Sequence, residues 1–100
     1  MTNKEKALDK KSSEKCREKG ICENCGQILT KEEAHPHHFI RRRHKSVRWD
    51  QENLVCLCWK CHDYAHRESE SFKNRMIKIK GEDWHNNLIK KSNQIFKKNY

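Results

Sequence analysis

The stretch Asp50-Gln51-Glu52-Asn53-Leu54-Val55-Cys56-Leu57-Cys58-Trp59-Lys60-Cys61-His62 changes structural state twice within thirteen residues. Asp50 to Asn53 carries turn formers, because short polar side chains bond their own backbone. Leu54-Val55-Cys56-Leu57 is a short apolar run that reads as a buried strand. From Trp59 the pattern becomes helical and runs to about Arg67. Ligand-type side chains sit where strand gives way to helix: Cys58, Cys61, His62 and, four residues further on, His66.

Working outward, Cys58-x-x-Cys61 has a counterpart in Cys22-x-x-Cys25, thirty-two residues upstream. Each C-x-x-C turn presents two sulfurs on one side of a tight knuckle, and two knuckles complete a tetrahedral Zn2+ site. Glycine beside Cys25 permits such a turn. A redox role fits less well, since two motifs are present and no βαβ pattern surrounds either. Cys56 alternates with Val55 and Leu57 and reads as a small buried hydrophobe. Cys16 has no evident partner.

A histidine pattern is interleaved with the cysteines. His62 and His66 are four apart, so a helix projects both imidazoles from one face, a spacing that can chelate one divalent ion. Cys61 and His62 are neighbours, about 100° apart on a helix, and so serve different sites. Upstream, His35-Pro36-His37-His38-Phe39-Ile40 reads as a first short strand with His37 and His38 adjacent on it. His35 stands beside them as a spare ligand or an exposed histidine.

Composition explains why metal matters to this chain. Of 100 residues, 33% are hydrophobic and 37% charged, with a mean hydropathy of -1.27. A domain of this size buries a thin core, and such a composition lies near the disordered class unless something else holds the chain. Metal binding does so, because its free energy becomes folding free energy. No apolar run approaches the ~20 residues of a membrane span, and no apolar signal segment opens the chain. Both absences lead us to expect a cytoplasmic, unsecreted protein, in whose reducing environment cysteines hold metal. The net charge of +9 favours a polyanion partner.

The ordered set Cys22-Cys25, His37-His38, Asn53, Cys58-Cys61-His62 and His66 resembles the HNH endonucleases. Asp50-Gln51-Glu52-Asn53-Leu54-Val55, followed by Leu57-Cys58 and Cys61-His62, is especially like them. The resemblance covers residues 21–67. It implies an α+β chain with a zinc-stapled ββα-metal nuclease fold, to which additional C-terminal helices would be attached. At the His-His and H-x-x-x-H positions the chain also looks like the nuclease domain of DNA-degrading colicins, which lack the four cysteines.

Carried over residue by residue, the resemblance makes His38 the general base. His37, His62 and His66 become ligands of a catalytic divalent ion (Mg2+, Mn2+, Ni2+ or Zn2+). Asn53 becomes a brace for the loop between the strands, helping to orient the base. Its implied activity is hydrolysis of DNA, nicking or cutting both strands, with 5′-phosphate and 3′-hydroxyl products. Arg41, Arg42, Arg43, Lys45 and Arg48 follow the base and would clamp the backbone of double-stranded DNA. No base-reading helix is evident, so weak sequence preference is expected. A non-catalytic zinc-stabilised DNA-binding module, or a phage packaging or recombination adaptor, is the alternative.

The flanks read more simply. Residues 1–19 form a charged tail or weak solvated helix. Residues 20–67 form the core, and residues 68–100 form a basic helical extension. In that extension Phe72, Met76 and Ile79 lie on one stripe, Gly81 stops the helix, and Asp83 caps a second helix carrying Trp84, Leu88 and Ile95. The stripe packs on the core or on a second copy. His44 lies in the arginine run, where it could meet phosphate, and His85 reads as surface.

Overall fold

The computed structural model describes residues 1–94. Its elements run α1 (Asn3–Arg17), β1 (His35–His38), β2 (Leu54–Leu57), α2 (Trp59–Arg67), α3 (Ser69–Lys80) and α4 (Glu82–Ser92). The two strands form an antiparallel pair, with His35 opposite Leu57, Pro36 opposite Cys56, His37 opposite Val55 and His38 opposite Leu54. All four β2 residues are buried while all four of β1 are half-buried. The inner strand thus carries the apolar side chains and the outer strand the chemistry. This is a small α+β, ββα fold with helices added at both ends.

Between Gly20 and Leu29 the chain makes a knuckle zipped by a bridge between Ile21 and Ile28. Gly26 takes φ 83°, a left-handed backbone that favours glycine. Its N–H donates to the Cys22 carbonyl at 2.8 Å. The knuckle also grips β2 directly. The Glu23 N–H donates to the Cys56 carbonyl at 2.8 Å, and the Cys56 N–H donates to Glu23 Oε2 at 2.6 Å.

Of the two readings of the N-terminal segment, tail or weak solvated helix, a helix forms, but it is docked rather than solvated. α1 opens with a capping box, in which Thr2 Oγ1 accepts from the Glu5 N–H and Glu5 Oε1 accepts from the Thr2 N–H. Its buried residues are Glu5, Ser12 and Cys16, and the helix packs against both strands. The sequence hid this because the buried face is not apolar. Cys16 is fully buried in the core cluster and directs its thiol toward the Leu54 carbonyl. Burial pushes that thiol up to about 12, so it stays a neutral packing group.

The C-terminal helices bury Phe72, Met76 and Leu88, but Ile79 is 48% exposed. The stripe therefore narrows to the positions facing the core. Gly81 separates the helices at φ 99°. Asp83 lies in the first turn of α4 without capping it; Gly81 holds the cap position. Ile95 lies outside the described residues. His85 is not a surface residue: it is half-buried, with its ring 5.9 Å from that of Phe39. Among the described residues, no helix is long and apolar enough to cross a membrane.

Candidate functional site

Two clusters of ligand atoms form, one on either side of Cys61-His62. Cys22, Cys25, Cys58 and Cys61 bring their sulfurs within 4.8 Å of one another. Two thiolates on one tetrahedral zinc at ~2.3 Å lie about 3.8 Å apart; Cys25 Sγ and Cys58 Sγ are 3.9 Å apart. Backbone burial would raise the Cys22 thiol, but the N–H groups of Cys25, Cys58 and Asn24 outweigh it and bring it down to about 7. Cys61 is pushed up to about 12, first by burial and then by the Cys58 and Cys22 thiols beside it. Sulfurs this close cannot all ionise without a cation among them, so the donor set fits a soft divalent metal.

The knuckle is supported from α3. Asn24 Nδ2 donates to Cys61 Sγ at 3.2 Å, and Arg75 Nε holds Asn24 Oδ1 at 2.7 Å. Lys80 Nζ meets Glu23 Oε1 at 2.5 Å. Outer partners of this kind orient metal ligands. No local pattern marks Asn24, Arg75 or Lys80 as part of this site, because they meet across fifty or more residues.

The second cluster joins β1 to α2. The strand alternation places His35 and His37 toward the helix, with His37 5.4 Å from His62 and 5.3 Å from His66 between ring centroids. His37, His62 and His66 offer nitrogens that all lie within 4.8 Å of one another. Two imidazole nitrogens on one tetrahedral ion at ~2.0–2.1 Å lie about 3.3 Å apart; Nε2 of His62 and Nε2 of His66 are 3.2 Å apart. His37 is pushed down to about 4, first by burial and then by His62, His66 and His38. Burial also lowers His62, helped by His66 and His35. Both are therefore neutral at physiological pH, with a lone pair to give. Phe72 of α3 backs His37 edge-on at 5.3 Å.

His35 stacks on His62 at 5.2 Å but stays outside the three-nitrogen cluster. A chelating set of three leaves coordination open, unlike the closed four-thiolate set.

His38 faces the loop instead. Its Nε2 lies 3.0 Å from the Arg48 carbonyl oxygen. A carbonyl cannot donate, so this nitrogen carries the proton and Nδ1 keeps its lone pair. Burial lowers His38 from the ordinary histidine value, against the opposing Arg48 carbonyl. The loop that carries this carbonyl is tied down by Asn53, which is fully buried. Asn53 accepts from the Ile40 N–H at 2.7 Å and donates to the carbonyls of Ile40 at 3.0 Å and Val47 at 3.1 Å. One side chain thus ties both ends of the loop.

A cleft of about 740 Å3 runs over these residues, lined by His37, His38, His62 and His66 together with Arg41, Arg42, Arg43 and, from α3, Lys73. The expected five-residue basic clamp is not one surface. Arg48 is 8% exposed and bound to Asp9 of α1 by two bonds, at 2.9 and 2.6 Å. Lys45 pairs with Glu5 at 2.8 Å, and Arg42 with Asp9 at 3.1 Å. Arg41 and Arg43 are exposed on the cleft rim. Sequence reasoning counted the positive charges, but the carboxylates that neutralise some of them lie more than thirty residues away on α1.

A ββα core with a four-cysteine cluster and a three-histidine cluster defines a class: small α+β domains in which a strand and a helix bring metal-ligand side chains together. Residues 22–68, just under half of the chain, match the family model described as HNH endonuclease. Neither the curated proteins nor the solved structures returned a match.

Proposed function

We propose that the chain is a metal-dependent DNA endonuclease of low sequence specificity. The observation that carries this reading is the meeting of His38, its Nδ1 freed by the Arg48 carbonyl, with three converging imidazoles in one cleft. Zn2+ suits the four thiolates as a structural ion. His37, His62 and His66 would hold the catalytic divalent ion (Mg2+, Mn2+, Ni2+ or Zn2+). That ion supplies positive charge to a scissile phosphate oxygen and to the departing 3′ oxygen.

The chain's own residues do the rest. His38 Nδ1 takes a proton from the attacking water as its oxygen bonds phosphorus, while the P–O3′ bond breaks. The departing 3′ oxygen takes a proton from solvent water, so the products are a 5′-phosphate and a 3′-hydroxyl. Asn53 holds the loop whose carbonyl aims the base. Arg41, Arg43 and Lys73, which line the cleft, would receive backbone phosphates of double-stranded DNA, and positioning without base contact gives little sequence preference. Such a protein suits a reducing cytoplasm, bacterial or phage-infected, where thiols remain available to metal.

Plasmid cleavage with each of the four metals, beside His38→Ala, tests the reading. Wild type nicks or linearises supercoiled plasmid with at least one metal, and the variant loses 10²-fold or more. Equal, intact plasmid in both with every metal overturns the proposal and leaves a zinc-stabilised DNA-binding or adaptor module.

A further inference from the structure

α1 lies outside the matched segment, yet it reaches the proposed base through one residue. Asp9 accepts from Arg48 Nε at 2.9 Å, Arg48 Nη2 at 2.6 Å, Trp49 Nε1 at 2.8 Å and Arg42 Nη2 at 3.1 Å. Four donors on one carboxylate hold its pKa below the ordinary aspartate value against its own burial. A bidentate guanidinium–carboxylate pair fixes orientation as well as distance. Arg48 is also the residue whose carbonyl meets His38 Nε2 at 3.0 Å.

The loop is therefore pinned twice on either side of that carbonyl. Asn53 binds the Val47 carbonyl at 3.1 Å, and Asp9 binds the side chains of Arg48 and Trp49. With the residue before and the residue after both held, the Arg48 carbonyl has little freedom to swing. Ser12 adds a further tie, its carbonyl accepting from Gln51 Nε2 at 3.0 Å.

We propose that Asp9 is a positioning residue of the reactive centre: by clamping Arg48 and Trp49 it holds the Arg48 carbonyl on His38 and so fixes that imidazole as the Nε2–H tautomer. The proposal deepens the nuclease reading and rests on it for its catalytic consequence, while its tautomeric consequence stands alone. α1 is then part of the functional unit, and residues 22–68 without it form an incomplete one. The opposite arrangement, α1 as a mask that withholds basic residues from DNA, is disfavoured because Arg41, Arg42 and Arg43 stay exposed on the cleft.

The test uses the full chain, metal-loaded, as wild type, Asp9→Ala, Arg48→Met, the double variant, and Thr2→Ala. Thr2→Ala removes the α1 cap but keeps the four donors of Asp9 and the neighbouring Met1 Sδ, which accepts from Arg48 Nη2 at 3.1 Å, and so controls for helix stability. Long-range 15N NMR of the imidazoles reads the His38 tautomer, and single-turnover cleavage reads rate and KM. In wild type and Thr2→Ala, His38 is expected as one tautomer, with the proton on Nε2. In Asp9→Ala and Arg48→Met it becomes a mixture. The cleavage rate constant falls about tenfold with KM within twofold, and the double variant is no worse than either single one.

An unchanged tautomer in folded Asp9→Ala overturns the proposal, whatever happens to activity. So does faster cleavage, which would make α1 a mask, and so does an equal effect of Thr2→Ala. A wild type that shows the tautomer shift on Asp9→Ala but never cleaves DNA would sink the nuclease reading and leave the positioning link standing.

Discussion

The two ligand clusters are built from the same seam, yet they differ in every property that matters. The four cysteines form a closed set: three of the four are buried, and Asn24 and backbone N–H groups serve the sulfurs. The three histidines form an open set: two are half-buried, His66 is exposed, and the cluster lines a cleft. A metal on the first set would find a complete coordination sphere and tie the chain together, while one on the second would keep positions open toward the cleft. Cys61 and His62 are consecutive, so a single turn of α2 supplies ligand atoms to both clusters.

That division predicts different losses. Cys58→Ser, or stripping by a strong chelator, is expected to abolish cooperative unfolding, because structural zinc contributes on the order of 10 kcal/mol in small domains. Calorimetry with metal analysis checks it; a folded, cooperative variant would break the comparison at its root. His62→Ala is expected to do the reverse. Titration of the exchangeable ion should show ~10²-fold or greater weakening, while the melting temperature moves by only a few degrees. A variant that unfolds would mean the open cluster is structural too.

Asn53→Ala falls between the two, since it leaves the half-buried Ile40 N–H and the buried Val47 carbonyl without their partner. A loss of about 2–4 kcal/mol is expected, read as a shift in denaturant midpoint, together with loss of cleavage. Stability loss alone would separate the loop from the base.

The smallest effect concerns acid. Glu23 is held below the ordinary glutamate value: burial opposes this, but Lys80, the Cys56 N–H and Lys19 outweigh it. A depressed carboxylate contributes stability that is fully present above its unfolded pKa of ~4.3 and is lost as pH falls through its lower folded value. Glu23→Gln should therefore lower stability at pH 6 and flatten the decline toward pH 3. If the slope is unchanged, Glu23 does not help anchor the cysteine knuckle to α3.

Legibility followed spacing. The two strands, α2, Gly81 and both ligand clusters could be read because each depends on short intervals: C-x-x-C, H-x-x-x-H, and a four-residue apolar run before a helix. Cys56 could be read from alternation. For α1 a helix is one reading, but its docking could not be read, since Glu5, Ser12 and Cys16 make no apolar stripe and the helix docks largely through polar groups. Ile79 and Asp83 were misplaced for a related reason. Periodicity gives a face, but only packing decides how wide the buried part is and which residue caps.

The sequence by itself determined which residues could ligate metal, because ligand chemistry and local interval are properties of the chain. It determined the net charge of +9 as well. Only the tertiary structure decided where that charge is available. Arg42, Lys45 and Arg48 meet Asp9 and Glu5, while Arg41 and Arg43 stay on the rim beside Lys73. Only the tertiary structure, too, set the tautomer of His38, by bringing the Arg48 carbonyl to its ring. The physical reason is the same in both cases. Coulomb attraction and hydrogen bonding act over a few ångströms of space, and the chain folds residues from distant positions into that range.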